Sequence, residues 1–236
     1  MKILTLISLF WVLSAQASPK VEKDLATFRV KVAEMRAQFD KQPGNAQDRE
    51  WVKAKLQHMV DVDQYLRGLP AVTQQNQYTE EEKQVFFREY FQEFQAIDSR
   101  HTGDFKKLLK THGWFKISVW GETADENAWL LTQHADQDPA FQNEVLNILE
   151  KLWPAKETQP KRYAFLWDRV AYSAQNPSQR KLQRYGTQGD CNRVTKKWER
   201  APVEDPEQLE ARRTLMGISE SLSEQQSRAD QACSMF

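Results

Sequence analysis

The sequence contains a histidine whose neighbours suit proton transfer. Gln133, His134 and Asp136 lie at the predicted end of one helix, just before Asp138 starts the next. A helix C-terminus and a nearby carboxylate both favour the protonated form of a histidine. His134 could therefore act as a general acid, or as a general base if its pKa stays near neutral. The non-catalytic alternative is a histidine that only satisfies the last helical carbonyls, with Asp136 in solvent.

A metal site would need more ligands than this segment offers. His134 and Asp136 could supply two, but the sequence has neither a His-x3-His pair nor a Cys-x-x-Cys pair. We therefore predict no metal site and assign no cofactor. The alternative is that distant carboxylates complete a metal site.

Asp168 and Arg169 form a second candidate group on a predicted helix, residues 160–174, that is apolar on nearly all sides. Such a helix is normally buried, and buried charges need partners. Arg169 could bind an anionic group through two parallel hydrogen bonds, while Asp168 or Asp136 could orient His134. The alternative is an internal ion-pair network that orders the helices. A similar polar set lies on an earlier helix, at Asp63, Gln64 and Arg67.

The third candidate group is the stretch LQRYGTQGDC, residues 182–191, which is too polar for a core. In a strand, Gln183 and Tyr185 would share one face, and Gly186 would let the backbone approach a bound molecule closely. Their amide and phenol groups, with the amide of Gln188, could hold a polar substrate by hydrogen bonds. The predicted substrate-binding residues are Arg169, Gln133, Gln183, Tyr185 and Gln188. The predicted catalytic residues are His134, Asp136 and Asp168.

The N-terminus, MKILTLISLFWVLSAQAS, predicts a secretory signal peptide over residues 1–17. Its apolar run is shorter than the ~20 residues that a membrane-spanning helix needs. We therefore expect export to the bacterial periplasm or medium, without a stable membrane anchor after cleavage; a retained anchor is the alternative. In an oxidising compartment the only two cysteines, Cys191 and Cys233, are expected to form a disulfide rather than a reactive thiol.

The charges do not suggest a nucleic-acid partner. Lys plus Arg equal Asp plus Glu at 33 each, so the formal net charge is zero. Without a basic surplus there is no overall field that attracts nucleic acid or an acidic membrane. The expected partner is a small polar or anionic ligand, and the sequence does not identify a protein partner.

Helical periodicity dominates the elements that must position these groups. We predict a mainly α, compact multi-helix domain with one small β-hairpin near residues 182–200. Residues 114–120 are predicted to form an extended connector between helices. The predicted helices span about 21–40, 47–67, 79–99, 104–112, 122–135, 139–153, 160–174 and 206–216, with a last one from about 221.

Several of these motifs occur in an order that resembles an uncharacterised bacterial family, a domain of unknown function. Its pattern is GW(P), QHAD followed by FQ, YLxDR, QxYGTQ, and RRxxxG; Phe115 here stands where the pattern often has Pro. The resemblance implies that these motifs belong to one unit, and it assigns no catalytic role. The matching segments are 113–114, 133–136, 141–142, 163–169, 183–188 and 212–217.

These observations predict four regions: a signal peptide (1–17), an N-terminal helical extension (18–55), a family-like helical domain (56–222) and a C-terminal helix (223–236) tied back by the disulfide. The leading functional hypothesis is an exported hydrolase- or lyase-like enzyme that acts on a small polar or anionic substrate, with His134 as general acid or base. The alternative is a non-catalytic periplasmic binding or protein-interaction module, in which the polar motifs form a structural network.

Overall fold

Long α-helices account for most of the chain in the computed structural model, which describes residues 17–41, 44–68, 77–173 and 180–234. The predicted mainly α fold is confirmed. The predicted signal peptide lies outside the described residues, except for Ala17. The helices are α1 (Pro19–Asp40), α2 (Arg49–Arg67), α3 (Glu80–His112), α4 (Ile117–Trp120), α5 (Glu122–Gln133), α6 (Pro139–Leu152), α7 (Pro160–Tyr172), α8 (Leu209–Leu215) and α9 (Leu222–Cys233), with a 3-10 turn at Pro206–Gln208.

Side-chain caps define where several helices begin. Thr79 and Glu82 form a reciprocal capping box at the start of α3, and Ser221 forms one with Glu224 at the start of α9. Asp138 accepts a hydrogen bond from the N–H of Phe141 at 3.0 Å, and so caps α6. This cap also fixes the position at which α6 follows the end of α5.

The helices enclose two hydrophobic clusters. The larger one lies among α2, α3, α5, α6 and α7 and is built around residues such as Leu56, Phe105 and Leu149. The smaller one packs α1 against α2 and α3 through residues such as Phe28 and Tyr90. Because α2 and α3 contribute residues to both clusters, these two helices connect the two apolar regions.

Two sequence-based predictions about helix extent are wrong. The helix α3 continues through Gly103 instead of ending near residue 99 and restarting at residue 104. His101 and Phe105, on either side of this glycine, are both buried, so packing holds the helix together there. Residues 114–120, predicted to be extended, contain the short helix α4, which ends at Gly121 with φ +84°.

The predicted hairpin is confirmed, but it is smaller than its predicted span. Strand β1 (Gly189–Cys191) pairs antiparallel with β2 (Trp198–Arg200). The preceding segment 183–188 is irregular, and Gln183 makes only an isolated bridge to Val203.

The predicted disulfide between Cys191 and Cys233 is confirmed and joins β1 to the end of α9, with a Cα–Cα distance of 5.4 Å. Among the described residues, no helix is long and apolar enough to span a bilayer.

Candidate functional site

His134 is held at the end of α5 by a carboxylate from α2. It follows the last residue of α5 and adopts φ −94° and ψ 0°. Its Nδ1 donates a hydrogen bond to Oδ2 of Asp63 at 2.7 Å. Asp63 is only 1% exposed, so the acceptor is shielded from water. A buried carboxylate on Nδ1 fixes the orientation of the ring and the tautomer in which Nε2 is unprotonated.

Arg67 links Asp63 to a second carboxylate on α3. Its Nε donates to Oδ1 of Asp63 at 2.9 Å, and its Nη2 donates to Oδ2 of Asp98 at 3.0 Å. Gln64 also donates to Asp63, at 2.9 Å. Asp63 and Arg67 share a face of α2 because they are four residues apart. One guanidinium therefore positions both carboxylates.

The protonation of these groups follows from burial and from their partners. Burial lowers the pKa of His134 below its usual value, although the hydrogen bond and charge of Asp63 act in the opposite direction. Burial tends to raise the pKa of Asp63, but His134 and Arg67 outweigh it and hold that pKa below normal. Burial raises the pKa of Asp98 to about 7 despite the nearby Arg67. At neutral pH, His134 is therefore mainly neutral and Asp98 is partly protonated.

A cavity of about 290 Å³ opens beside this group. His134 and Asp98 both line it, together with Ser99, Thr102 and Lys106. Among the described residues, the His134 ring makes its only protein hydrogen bond through Nδ1. The Nε2 atom is thus left to act on a molecule in the cavity.

Asp136, a predicted catalytic residue, pairs with Arg169 instead of His134. Its carboxylate accepts from Nε of Arg169 at 2.9 Å and from Nη2 of the same residue. Gln142 also donates to it, at 3.2 Å. The Nη1 of Arg169 donates to the amide of Gln188 at 3.2 Å. Arg169 affects His134 through its positive charge, which contributes to the lowered pKa of His134.

Asp168, also a predicted catalytic residue, is fully buried and organises the segment 184–187. Its Oδ1 accepts from the N–H groups of Arg184 and Tyr185 at 2.8 and 3.1 Å. Its Oδ2 accepts from the N–H and the hydroxyl of Thr187 at 2.9 and 3.0 Å. The structure therefore places Asp168 inside a ring of donors, where burial raises its pKa and these hydrogen bonds lower it.

The two predicted substrate-binding amides of segment 183–188, Gln183 and Gln188, are bonded within the protein. The amide of Gln183 donates to the carbonyls of Gln188 and Ala201 at 2.9 Å each, and accepts from the N–H of Gln188 at 2.6 Å. Tyr185 is buried, and the buried Arg213 donates to its carbonyl at 2.9 Å. Gly186 has φ +63°, a conformation that favours glycine.

Gln133 and Gln142 stabilise the end of α5 from two sides. Gln142, which is fully buried, donates to the carbonyls of Thr132 and Gln133 at 3.2 Å each. In the amide orientation that satisfies its surroundings, Gln133 accepts from the N–H of Leu166 at 2.8 Å. Both side chains hold the turn that carries His134.

The structure thus brings His134 together with Asp63 and Arg67, which the sequence analysis had not linked to His134. Asp98 and Lys106 also line the site, and sequence reasoning missed them. No sequence pattern distinguished Asp98 and Lys106 from the other charged residues of α3, because their position beside the cavity depends on how distant helices pack. Within the described chain, no cluster of three or more His, Cys, Asp or Glu side chains could hold a metal ion.

No curated protein and no solved structure matches this chain significantly. The model of a family of unknown function, DUF6624, matches residues 52–232, from the start of α2 almost to the end of α9. This confirms the expected membership of an uncharacterised domain family, and α1 lies outside the match. The chain therefore belongs to DUF6624, a family of unknown function.

Proposed function

We propose that this protein is an exported enzyme of the hydrolase or lyase type, in which His134 acts as a general base. One observation supports this most: Asp63 binds Nδ1 of His134 at 2.7 Å, while the ring borders a cavity of about 290 Å³. A histidine held in this way offers an unprotonated Nε2 to a bound molecule. The lowered pKa of His134, caused by burial, favours the neutral ring that a base requires.

The other groups of the cavity suit a small polar or anionic substrate. Ser99 and Thr102 offer hydroxyl groups, and Lys106 offers an ammonium group that is paired with Asp138 at 2.8 Å. In a hydrolytic or elimination reaction, Nε2 of His134 would take a proton from water or from the substrate. Asp63 would then stabilise the imidazolium that forms. Asp98, with a pKa raised to about 7 by burial, could return a proton to the leaving group.

A screen of chromogenic ester, amide, phosphate and glycoside substrates would test this proposal. We expect His134→Gln to lower any activity found by about 100-fold or more. His112→Gln is the matched control, because the hydrogen bond that His112 makes among the described residues is to the backbone carbonyl of Ala46, and His112 lies away from the cavity lining. An activity that survives in His134→Gln would exclude His134 as the base.

Export is supported by the N-terminal sequence and by the disulfide between Cys191 and Cys233. Ser18, the expected first residue of the mature chain, caps α1 and donates to Glu82 at 2.6 Å. Expression of the full chain in a bacterium, followed by intact mass analysis of the periplasmic fraction, tests this. A mature chain that begins at Ser18 is expected, and full-length protein confined to the cytoplasm would contradict export.

A non-catalytic binding or interaction module is the second candidate. It is favoured by the internal bonding of Asp168, Gln183 and Gln188, since groups satisfied within the protein have less capacity left for a substrate. On this alternative, His134→Gln changes stability and nothing else. If no substrate class is turned over and His134→Gln only loses stability, the results favour the non-catalytic module.

A further inference from the structure

Arg67 lies between the two groups that exchange protons in the proposed reaction. Its Nε donates to Oδ1 of Asp63 at 2.9 Å, and Asp63 in turn accepts from His134. Its Nη2 donates to Oδ2 of Asp98 at 3.0 Å. The side chains of His134, Asp63, Arg67 and Asp98 are therefore linked by consecutive hydrogen bonds, and we call them the Arg67 network. Both ends of this network, His134 and Asp98, line the same cavity.

The guanidinium of Arg67 is held in place and shielded from water. It bonds a carboxylate on its own helix, α2, and another on α3, and its central carbon lies 4.7 Å from the centre of the Phe94 ring. The side chain of Arg67 is 26% exposed, that of Asp63 2% and that of Asp98 11%. Charges that are shielded in this way act strongly on one another. A change of charge at one member therefore affects the others.

The Arg67 network is electrically neutral in two protonation states. When His134 and Asp98 are both uncharged, the carboxylate of Asp63 balances the guanidinium of Arg67. When His134 has gained a proton and Asp98 has lost one, the charges alternate along the network and again sum to zero. Either change alone would leave a net charge in a largely buried site, which costs free energy.

The charges around the network favour the uncharged forms of both ends. The negative charge of Asp136 raises the pKa of Asp98, and the positive charge of Arg169 lowers the pKa of His134. Arg67, in contrast, lowers the pKa of Asp98 and so favours release of its proton. Other titratable groups beside the network are uncharged or paired at neutral pH, namely Tyr90, His101, Lys106 and Asp138.

We propose that Arg67 is a positioning residue that couples proton uptake at His134 to proton release at Asp98. The proposal rests on the proposed function, in which His134 is the base and Asp98 is the acid. Nε2 of His134 takes a proton from water or from the substrate while Asp98 gives its proton to the leaving group, so the network gains one proton and loses one. Asp63 then faces an imidazolium, and Arg67 faces a carboxylate. Return of a proton from His134 to Asp98 restores the starting state.

Arg67→Gln tests the coupling on the full mature chain without any substrate. NMR titration of the Asp98 carboxyl carbon and of the His134 imidazole measures both pKa values. Burial raises the pKa of Asp98 to about 7 against the opposing effect of Arg67, so in the variant we expect a pKa of about 8 or higher. The pKa of His134 should also rise, because the charge of Arg67 lowers it.

The direction of the change at Asp98 separates this role from a merely structural one. If Arg67 only held the helices together, its loss would admit water, and the pKa of Asp98 would fall towards its ordinary value of 3.8. A fall, or an unchanged pKa of Asp98, would overturn the proposal. Arg29→Gln is the matched control, because Arg29 pairs with Glu93 between α1 and α3, outside the cavity lining. It should leave both pKa values unchanged.

Arg67→Lys keeps the positive charge without the fork, and it carries the test if Arg67→Gln does not fold. One ammonium group does not reproduce the fixed geometry in which a guanidinium bonds two carboxylates. The pKa of Asp98 should therefore lie above the wild-type value and, where both variants fold, below the value in Arg67→Gln. A wild-type pKa of Asp98 in Arg67→Lys would show that the fork has no role and would overturn the proposal.

Kinetics separate this proposal from the proposed enzymatic function. For any activity found, Arg67→Gln should move the alkaline limb of the pH–rate profile to higher pH and lower the maximal rate by about tenfold or more. The expected pKa changes without any activity that depends on His134 would support the coupled network and count against the enzyme. Activity that depends on His134 but has the same rate and pH profile in Arg67→Gln would support the enzyme and overturn the coupling.

Discussion

His134 donates a hydrogen bond from Nδ1 to Asp63 at 2.7 Å, across 71 positions of sequence. Asp63 lies on α2 and His134 directly follows α5, and these two helices pack against each other in the larger hydrophobic cluster. The contact therefore depends on the whole helical body being assembled. It also raises the pKa of the histidine against the larger, lowering effect of burial, which makes the pair the first target for mutation.

Replacement of Asp63 by Asn should lower the pKa of His134 further. The hydrogen bond and the negative charge of Asp63 raise that pKa, whereas burial, the largest influence, lowers it. With the charge removed, burial acts with less opposition. A titration followed by NMR of the imidazole resonances measures the change. An unchanged or higher pKa of His134 would contradict this account.

His101 should make the protein sensitive to acid. Burial lowers its pKa from 6.5 to about 4, and its buried Nδ1 has no partner among the described residues. Between these two pH values the unfolded chain binds a proton that the folded chain does not, so stability falls as the pH falls through that window. His101→Leu removes this proton linkage.

Urea unfolding at pH 7.5 and 4.5 measures the effect. Wild-type protein should lose roughly 1–3 kcal/mol more than His101→Leu between these two pH values. An equal loss in both proteins would show that His101 does not carry the acid sensitivity.

Asp168→Asn should destabilise the fold strongly. An asparagine cannot accept on both sides, so its NH2 group would face the N–H groups that Asp168 now binds on segment 184–187. We expect a loss of about 2–4 kcal/mol in the free energy of unfolding. Asp136→Asn is the control, because the Asp136 side chain is 45% exposed and its replacement should cost less than about 1 kcal/mol. Similar losses in the two variants would argue against the structural role of Asp168.

Replacement of both Cys191 and Cys233 by alanine should lower the free energy of unfolding by about 2–4 kcal/mol, since the bond closes a long loop in the unfolded chain. The measurement is chemical denaturation of the oxidised wild type and of the double variant. Reduced wild-type protein should match the variant. If reduction leaves the wild-type stability unchanged, the disulfide has no stabilising role.

The helix starts could be predicted because their causes are local. The box formed by Thr79 and Glu82 and the cap at Asp138 each depend on residues three positions apart. The Cys191–Cys233 bond was equally predictable, since the chain has no other cysteine. The continuity of α3 could not be predicted. Gly103 is a local signal against a helix, and the packing of His101 and Phe105 outweighs that signal.

The site was predictable only in part, for the same physical reason. His134 and Asp168 have ionisable side chains in apolar surroundings, so the sequence indicated that each needs a partner. Which partner each one has depends on how the helices pack: His134 meets Asp63, and Asp168 meets the backbone of segment 184–187. Periodicity shows which face of a helix is apolar, but not which distant helix packs against it.

The helix α1 supplies one side of the smaller hydrophobic cluster, yet the family match begins only at residue 52. In this chain Val21, Leu25 and Phe28 cover an aromatic face of α3 that includes Phe86 and Tyr90. A member of the family without a counterpart of α1 must therefore either carry polar residues at those positions of α3 or cover them with another segment. The residues at those positions in a related chain would therefore show whether that chain covers this face of the domain.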